Sequence, residues 1–456
     1  MSKQDLRYFL KKAEENGSLC HVTEEVKREY EISTLIMDLD KERRSPIVMF
    51  DKVENSDFPV VSNLLGCRER FAEGLGVTAD KVSETYAERI KNRIEDWKII
   101  DEPPFNAHTL TGDDIDLYKL PIPVHFPIDA GPYVTSGLCV AKDPESGAET
   151  LGFQRMQLKG KDKLGISLHS RQRLWEYFRR SEARGENLKA AVVIGVHPNI
   201  SLGSMALIPY DIGKYGAIAG LFGEPLEVAP CIHSDLLVPA YSEIVLEGEI
   251  LAGVREKEGP FAEFTNYACY RSTENVFKVT AIRYRENAIY HDLTPGMSRE
   301  HVTVVAVQRE GDVLNALRQT LPNIKAVHAP FSACGLFHCY ISMKKIAEGQ
   351  PQQAIFAALA VDHNLKTVIV VDEDVDVYNE EEVLWALATR LQADKGVTVI
   401  PQHLGMGVTL DPSSDDLSRS AKMGIDATKP LSGFAPKIQM DPEVEKAVQR
   451  LHKYTK

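Results

Sequence analysis

The decapeptide Glu258-Gly259-Pro260-Phe261-Ala262-Glu263-Phe264-Thr265-Asn266-Tyr267 places two carboxylates five residues apart across a Gly-Pro turn. Glycine permits unusual backbone angles and proline fixes its own φ, so the pattern predicts a rigid bend rather than a flexible loop. Phe261 and Phe264 predict an apolar wall around both acids. A carboxyl group against apolar surface has a raised pKa, which suits it to donate a proton near neutral pH. The alternative is an acidic surface turn without a chemical role.

The composition around this segment is typical of a soluble globular protein of two or three domains. The chain has 456 residues, of which 43% are hydrophobic and 26% are charged. This is enough apolar material for a sizeable core. The formal net charge of -13 argues against a nucleic-acid groove, although a local basic patch could still bind an anionic ligand.

The cysteines indicate a reducing compartment. The seven cysteines are an odd number, are scattered along the chain and contain no CxxC pair. This pattern predicts free thiols rather than a disulfide framework or a zinc ribbon. The N-terminus lacks signal-peptide features, and no apolar run approaches the ~20 residues of a membrane span. We therefore expect a cytoplasmic enzyme without a membrane segment.

The order of helix-like and strand-like patterns predicts an α+β, mixed fold in four parts. Residues 1–115 form an α/β segment that begins with an amphipathic helix over residues 2–16, capped by Ser2. Residues 116–299 contain short apolar runs separated by turn signals, which indicate a barrel-like β domain. Residues 300–322 read as a bridging helix. Residues 323–456 alternate strands and helices and end in a short helix.

Several polar residues stand out inside the β-rich region. Arg155 closes a strand, His169 lies in a short polar segment, Glu224 ends a glycine-rich loop, and Ser204-Met205 follows an apolar strand. Each has an ordinary explanation when taken singly. A lone histidine is more often a core or surface residue than a metal ligand, and Arg155 could be a surface ion-pair partner. The glycine-rich loop matches no nucleotide-binding signature.

Taken together with the Glu-Gly-Pro-Phe-x-Glu motif, these residues resemble the UbiD family of decarboxylases, which use prenylated FMN. The resemblance covers essentially the whole chain, through Asp374-Val375-Asp376 to residues 426–430. It implies a split β-barrel that binds the flavin, a bridging helix and an α/β oligomerisation domain. It also implies a catalytic Glu–Arg–Glu network of Glu258, Arg155 and Glu263, in which Glu263 donates the proton.

The resemblance further implies a cofactor and metal site. His169 and Glu224 correspond to ligands of a divalent metal, typically Mn²⁺, at the flavin phosphate, with K⁺ nearby. The third position, an Asn in the family, is Thr150 here, which is a poorer ligand and puts the metal geometry in doubt. The full set implied to contact the cofactor is Thr150, Leu151, Gly152, Phe153, Gln154, Arg155, Leu168, His169, Met205 and Glu224.

The segment after residue 290 bears on the substrate. His291 and Arg299 offer two cationic donors where the family lines its substrate pocket, and Arg299 lies near a helix N-terminus. We expect them to hold a second carboxylate, a pattern similar to the branch that converts furan-2,5-dicarboxylate to 2-furoate. The alternative is that Arg299 pairs with an acid such as Asp292 and that His291 only packs.

Three other functions stay open at this stage. The chain could decarboxylate a pyrrole-, indole- or hydroxybenzoate-type monoacid, act as an FMN oxidoreductase, or serve as a non-catalytic carboxylase subunit. The direction of a reversible reaction does not follow from sequence. The expected partners are a small aromatic or heteroaromatic acid, a flavin prenyltransferase that supplies the cofactor, and further copies of the chain in a dimer or hexamer.

Overall fold

The computed structural model describes residues 1–168, 173–270 and 274–455, and its N-terminal part is an α/β segment. Four helices pack on a small mixed sheet in this part of the chain. The helices are Leu6–Glu15, Glu31–Lys41, Arg68–Leu75 and Val82–Lys91. The sheet order is Leu19–Val26, Ile47–Val53, Val60–Ser62 and Tyr290–His291. Since the last strand comes from much later in the chain, this segment and the central region share one sheet.

The first helix confirms the predicted apolar stripe and corrects the predicted cap. Leu6, Phe9, Leu10 and Ala13 are all buried. The cap is Asp5, whose carboxylate accepts a hydrogen bond from the Arg7 N–H at 2.9 Å. Ser2, the expected cap, instead donates its hydroxyl to Glu227. The acidic side chain closer to the helix satisfies its free N–H groups, so Ser2 serves a tertiary contact.

The central region is built on one large antiparallel sheet. Within the described residues, nine strands form this sheet, and it curls into half of a barrel. The order is Tyr133–Val134, Met156–Gly160, Lys163–Ile166, Glu274–Tyr284, Ile244–Glu256, Leu188–Ile194, Leu138–Lys142 and Glu149–Phe153, and His108–Thr111 also pairs with Glu274–Tyr284. The helices of this region are Arg173–Ala183, Pro198–Ser204 and Tyr215–Phe222. The predicted α+β architecture with a barrel-like centre is confirmed.

Two small sheets complete the central region. Leu237–Pro239, Leu226–Pro230 and Trp97–Ile99 form a three-stranded sheet. Phe261–Ala262 and Ala268–Cys269 form a two-stranded hairpin. The hairpin carries most of the Glu258–Tyr267 segment.

The bridging helix spans Arg299–Arg318, close to its predicted bounds. The Ser298 hydroxyl caps it by accepting the His301 N–H at 3.1 Å. This helix packs very closely against the helix Val82–Lys91. A Cβ atom added at Gly311 would lie only 2.2 Å from the Tyr86 ring. Across the described part of the chain, no helix combines the length and apolarity needed to cross a membrane.

The C-terminal part is a five-stranded mixed sheet with helices. The sheet order is Ile324–His328, His338–Met343, Thr367–Asp372, Arg419–Asp426 and Val397–Leu404. The helices are Gln350–Val361, Glu380–Arg390, Ala393–Gly396 and Pro442–Val448. Short 3₁₀ turns occur at Ala79–Lys81, Pro104–Ala107, Gly112–Asp114, Leu117–Lys119, Phe331–Ala333 and Gln449–Tyr454. The last helix is exposed along its whole length.

A buried carboxylate on the bridging helix joins the N-terminal and C-terminal parts. Glu310 is fully buried and contacts Arg68 at 2.6 Å, His328 at 2.6 Å and the Ser83 hydroxyl. Burial alone would raise the pKa of Glu310, but Arg68 and His328 outweigh it and lower this pKa to about 2. The Glu310 carboxylate therefore connects the bridging helix to the segments that carry Arg68 and His328, which are distant in sequence.

We expect Glu310→Gln to lower the free energy of unfolding by about 3–5 kcal/mol at neutral pH, because it leaves Arg68 without its buried counter-charge. A depressed folded-state pKa contributes stability above the unfolded value of roughly 4.3, and this contribution is lost as pH falls towards the folded value. The difference between wild type and variant should therefore shrink between pH 5 and 2. Urea unfolding across this range measures it. Glu373→Gln removes an exposed pair with Lys325 and should cost below about 1 kcal/mol.

Candidate active site

The Glu258–Tyr267 segment forms the bend that its sequence predicts. Gly259 has a φ of +79°, a region that favours glycine. The Glu263 N–H donates to the Tyr267 carbonyl at 3.0 Å, which closes the tip of the hairpin. The Ala262 N–H donates to the Asp129 carboxylate at 2.9 Å and ties the hairpin to the preceding connector. Both acids thus sit on a backbone that is fixed on two sides.

The hairpin brings Glu258 and Glu263 to the same guanidinium group. Arg155 Nη2 donates to Glu258 Oε2 at 2.9 Å, and Nη1 donates to Glu263 Oε1. Glu258 is 1% exposed and Glu263 is 7% exposed, so neither carboxylate is a surface acid. Burial alone would lower the pKa of Arg155, but the two carboxylates outweigh it and raise that pKa. The arginine is therefore a permanent cation between two acids.

Aromatic side chains surround this cluster. The Arg155 guanidinium lies 4.8 Å from the centroid of the Phe261 ring, and Tyr133 packs on that ring at 4.6 Å. Burial and the nearby Glu258 raise the pKa of Tyr133, which stays a neutral phenol. Phe264 contacts His301 at a centroid distance of 6.1 Å. The predicted apolar wall around the acids is present.

Two buried atoms of the cluster have no hydrogen-bond partner within the described ranges. They are Glu258 Oε1 and Arg155 Nε. A buried acceptor and a buried donor left open at one site are costly unless a ligand or water satisfies them. A molecule bound at the cluster would supply the missing hydrogen-bond partners.

A cavity of about 350 Å³ lies next to the cluster, between the central sheet and the bridging helix. Five of the residues predicted to contact a cofactor line it together, namely Thr150, Gly152, Phe153, Gln154 and Met205. Gln154 is the chain neighbour of Arg155, so consecutive residues connect the cavity wall to the carboxylate cluster. This volume is within the range of small-molecule sites.

Those of the other predicted cofactor residues that the structure describes are not part of this cavity wall. Leu151 and Leu168 are buried in hydrophobic cores, and Arg155 belongs to the carboxylate cluster. His169 lies outside the described residues. Glu224 is exposed, accepts a hydrogen bond from Gln4 at 3.3 Å and lines a separate surface depression.

Two of the three predicted metal ligands, Thr150 and Glu224, lie in the described ranges, and they line different cavities. Thr150 faces the cavity and Glu224 does not. In the same ranges, no group of three or more His, Cys, Asp or Glu side chains is placed to hold a metal. The described cavity wall carries the cations Lys214, Arg173 and Arg309, of which Arg309 pairs with Asp362 at 2.9 Å. Its described residues fit an anionic molecule with an apolar body, such as a flavin mononucleotide, and they do not fit a divalent metal.

The predicted substrate residues sit in two different environments. His291 is buried, and its Nε2 lies 3.1 Å from Glu300 Oε1. The Arg299 guanidinium lies over the Phe331 ring at 4.7 Å, and its main-chain N–H donates to Asp40 at 2.7 Å.

The suggested pairing of Arg299 with Asp292 does not form. Asp292 instead contacts His125 Nε2 at 2.8 Å, and both side chains are fully buried. Arg299 lies near Asp40, whose pKa is raised to about 6 by burial despite this neighbour.

Sequence reasoning missed four residues of the site: Lys214, Arg173, Tyr133 and His301. Lys214 follows a glycine in the glycine-rich loop, and a lysine in such a loop is a signal for an anion site that could have been used. His301 and Tyr133 had no local signal. They reach the acids through the packing of elements distant in sequence.

Known proteins are similar to this chain over most of its length. Sequence models of the N-terminal, Rift-related and C-terminal domains of 3-octaprenyl-4-hydroxybenzoate carboxy-lyase match residues 10–90, 98–298 and 302–427. An anhydromevalonate phosphate decarboxylase from Methanothermobacter thermautotrophicus is 33% identical over 441 residues, which cover 95% of this chain and 99% of the relative.

Solved structures agree with this match. The UbiD-class enzyme HmfF from Pelotomaculum thermopropionicum, in complex with FMN, is 37% identical with a TM-score of 0.90, and the match covers 97% of this chain and 98% of that chain. An evolved dimeric form of the same enzyme, in complex with prFMN, is 36% identical with a TM-score of 0.87 and the same coverage.

We expect Arg155→Met to lower the free energy of unfolding by about 3–5 kcal/mol, because it leaves two buried carboxylates without their shared cation. Arg255→Met is the matched control. It removes an arginine whose pair with Glu182 at 2.9 Å is partly exposed, and it should cost below about 1 kcal/mol. Urea unfolding of both variants measures the difference. Equal losses would contradict a buried, coupled Arg155 cluster.

Proposed function

The chain belongs to the UbiD family of decarboxylases, and on that basis we propose that it uses prenylated FMN to convert furan-2,5-dicarboxylate to 2-furoate and CO2, reversibly. The observation that carries the proposal is the buried cluster of Arg155, Glu258 and Glu263, together with a nearby cavity whose wall carries Lys214 and Arg173. An FMN oxidoreductase has no need of such a cluster, and a non-catalytic subunit has no reason to keep it.

The cofactor assignment is supported by the cavity and by the similar structures. HmfF is seen with FMN and, in an evolved dimeric form, with prFMN. In this chain, Lys214 and Arg173 suit a phosphate, while Phe153, Met205 and Leu174 suit an apolar ring. When bound, prenylated FMN supplies an electron sink for the charge left behind as CO2 departs.

The chain's own residues then orient the acid and deliver a proton. Arg155 has a planar guanidinium that can contact the substrate carboxylate while it holds both glutamates in place. The bond between the ring carbon and the carboxylate breaks, and the carboxylate leaves as CO2. Glu263 gives its proton to the same carbon, so a hydrogen atom replaces the carboxylate on the ring. In the carboxylation direction Glu263 takes that proton back.

Glu258 has a positioning role in this scheme. One of its oxygens accepts from Arg155 at 2.9 Å, and the other is buried without a partner in the described ranges. Phe261 and Phe264 place apolar rings beside this pair, which limits the access of water to the proton that Glu263 delivers.

The choice of acid rests on the segment after residue 290 and on the similarity to HmfF. His291 and Arg299 are proposed to act on a second carboxylate. For His291 this requires release from Glu300. A phosphorylated acid is the second candidate, because curated relatives at 32–33% identity are anhydromevalonate phosphate decarboxylases.

The test is product analysis on protein made together with a flavin prenyltransferase. The panel contains furan-2,5-dicarboxylate, 2-furoate, pyrrole-2-carboxylate, a hydroxybenzoate and anhydromevalonate phosphate. We expect one CO2 per diacid with accumulation of 2-furoate. Glu263→Gln should lower the rate by about 10²- to 10⁴-fold, the usual contribution of a positioned proton donor. Glu256→Gln, which removes a partly exposed pair with Lys163, should change the rate less than about twofold.

The outcomes separate the parts of the proposal. Turnover of a monoacid alone would keep the decarboxylase and refute the furan diacid. Turnover of the phosphorylated acid alone would establish the second candidate. Full activity of Glu263→Gln would refute its role as the proton donor.

Arg299→Leu should raise KM for the diacid far more than for a monoacid. Equal effects on both acids would refute the contact of Arg299 with a second carboxylate.

A further inference from the structure

Lys214 is a buried amine in the cavity wall, and no carboxylate of the described residues forms an ion pair with it; an anion beside it would favour its charged form. It lies directly before the helix Tyr215–Phe222, and its ammonium donates to the Ser204 carbonyl. No ion pair joins it to any acid within the described ranges. The Asp312 carboxylate is near enough to act on it electrostatically, but Asp312 already accepts from Gln308 and from the Leu207 N–H. Burial lowers the pKa of Lys214 to about 7.

Arg173 faces the same cavity and is pinned in place. Its guanidinium donates to the carbonyl groups of Ile208 at 2.7 Å, Pro209 at 2.6 Å and Ile212 at 2.5 Å, and it lies 5.5 Å from the centroid of the Tyr210 ring. These partners are neutral, so they fix the arginine without cancelling its charge. Its charge reaches Lys214 and further lowers the pKa of that lysine.

Two mutually repelling cations in one cavity are unfavourable unless an anion lies between them. Thr150 lines the same cavity, and a threonine hydroxyl can donate a hydrogen bond to an anionic oxygen. A divalent metal at this place would add a third positive group to the same space. Glu224, the carboxylate expected to hold such a metal, is exposed in a different depression.

We propose that Lys214 takes the place of the divalent metal as the counter-cation of the flavin phosphate, with Arg173 and Thr150 as its other protein contacts. The flavin is then held without a requirement for Mn²⁺. This inference rests on the proposed flavin cofactor, and it is independent of which acid is decarboxylated.

The experiment is equilibrium binding of FMN and of riboflavin, which lacks the phosphate, to the full chain made without prenyltransferase. Flavin fluorescence reports binding, in EDTA and with added MnCl2. Wild type should bind FMN at least tenfold more tightly than riboflavin, and EDTA should change the FMN affinity less than twofold. Lys214→Met should weaken FMN at least tenfold and riboflavin less than twofold. Lys214→Arg should retain most of the preference for FMN.

Two controls sharpen the result. Glu224→Gln should leave FMN affinity within twofold of wild type in either buffer. Lys142→Met removes a cation that already pairs with Asp235 at 2.7 Å, and it should also leave FMN affinity unchanged. Circular dichroism of each variant verifies the fold, and Lys214→Arg tests the charge if Lys214→Met unfolds.

Two results would overturn the inference. One is loss of FMN binding in EDTA with recovery on MnCl2. The other is an unchanged preference for FMN in Lys214→Met. If wild type binds neither flavin, the proposed cofactor itself is refuted, and this is distinguishable from failure of the lysine alone.

Discussion

A single arginine between two buried carboxylates is the interaction on which the rest of the site depends. A guanidinium and two acids can leave water together only if their geometry is fixed, since each charge loses its hydration. Arg155 and Glu258 are separated by 103 residues and Arg155 and Glu263 by 108. The curled sheet brings the end of one edge strand to the hairpin that carries both glutamates. The barrel therefore serves first to bring one cation to two acids, and the cavity forms beside them.

The distribution of charge is uneven between the surface and the interior. The chain carries a net charge of -13, yet the cavity wall presents Lys214 and Arg173, which form no ion pair with an acid in the described ranges. A negatively charged surface discourages nonspecific anions, while the local cations select one anion that also fills an apolar space. Selection then depends on shape and charge together, and neither alone would suffice.

Much of this fold follows from sequence because many of its determinants are local. The apolar stripe of the first helix, the bounds of the bridging helix and the Gly-Pro bend each depend on residues close in the chain. A sequence motif indicates the Glu–Arg–Glu set, but the burial of these three side chains follows only from the tertiary structure. The predictions that failed concern contacts between residues that are distant in sequence. Asp5 caps the first helix in place of Ser2, whose hydroxyl donates to Glu227. His291 was predicted to face a ligand, but its side chain pairs with Glu300. Competition of this kind between distant groups leaves no periodicity to detect.

The close passage of the bridging helix has a consequence for modularity. At Gly311 there is no room for a single methyl group against Tyr86, and one turn of helix also carries the Glu310 carboxylate shared by Arg68 and His328. The C-terminal part is therefore not an exchangeable module, although its boundary looks clean in sequence. A chimaera that joins this N-terminal segment to another protein's helix would have to inherit the glycine, the acid and both of its basic partners as one unit. Recombination between relatives is constrained to crossover points outside that group.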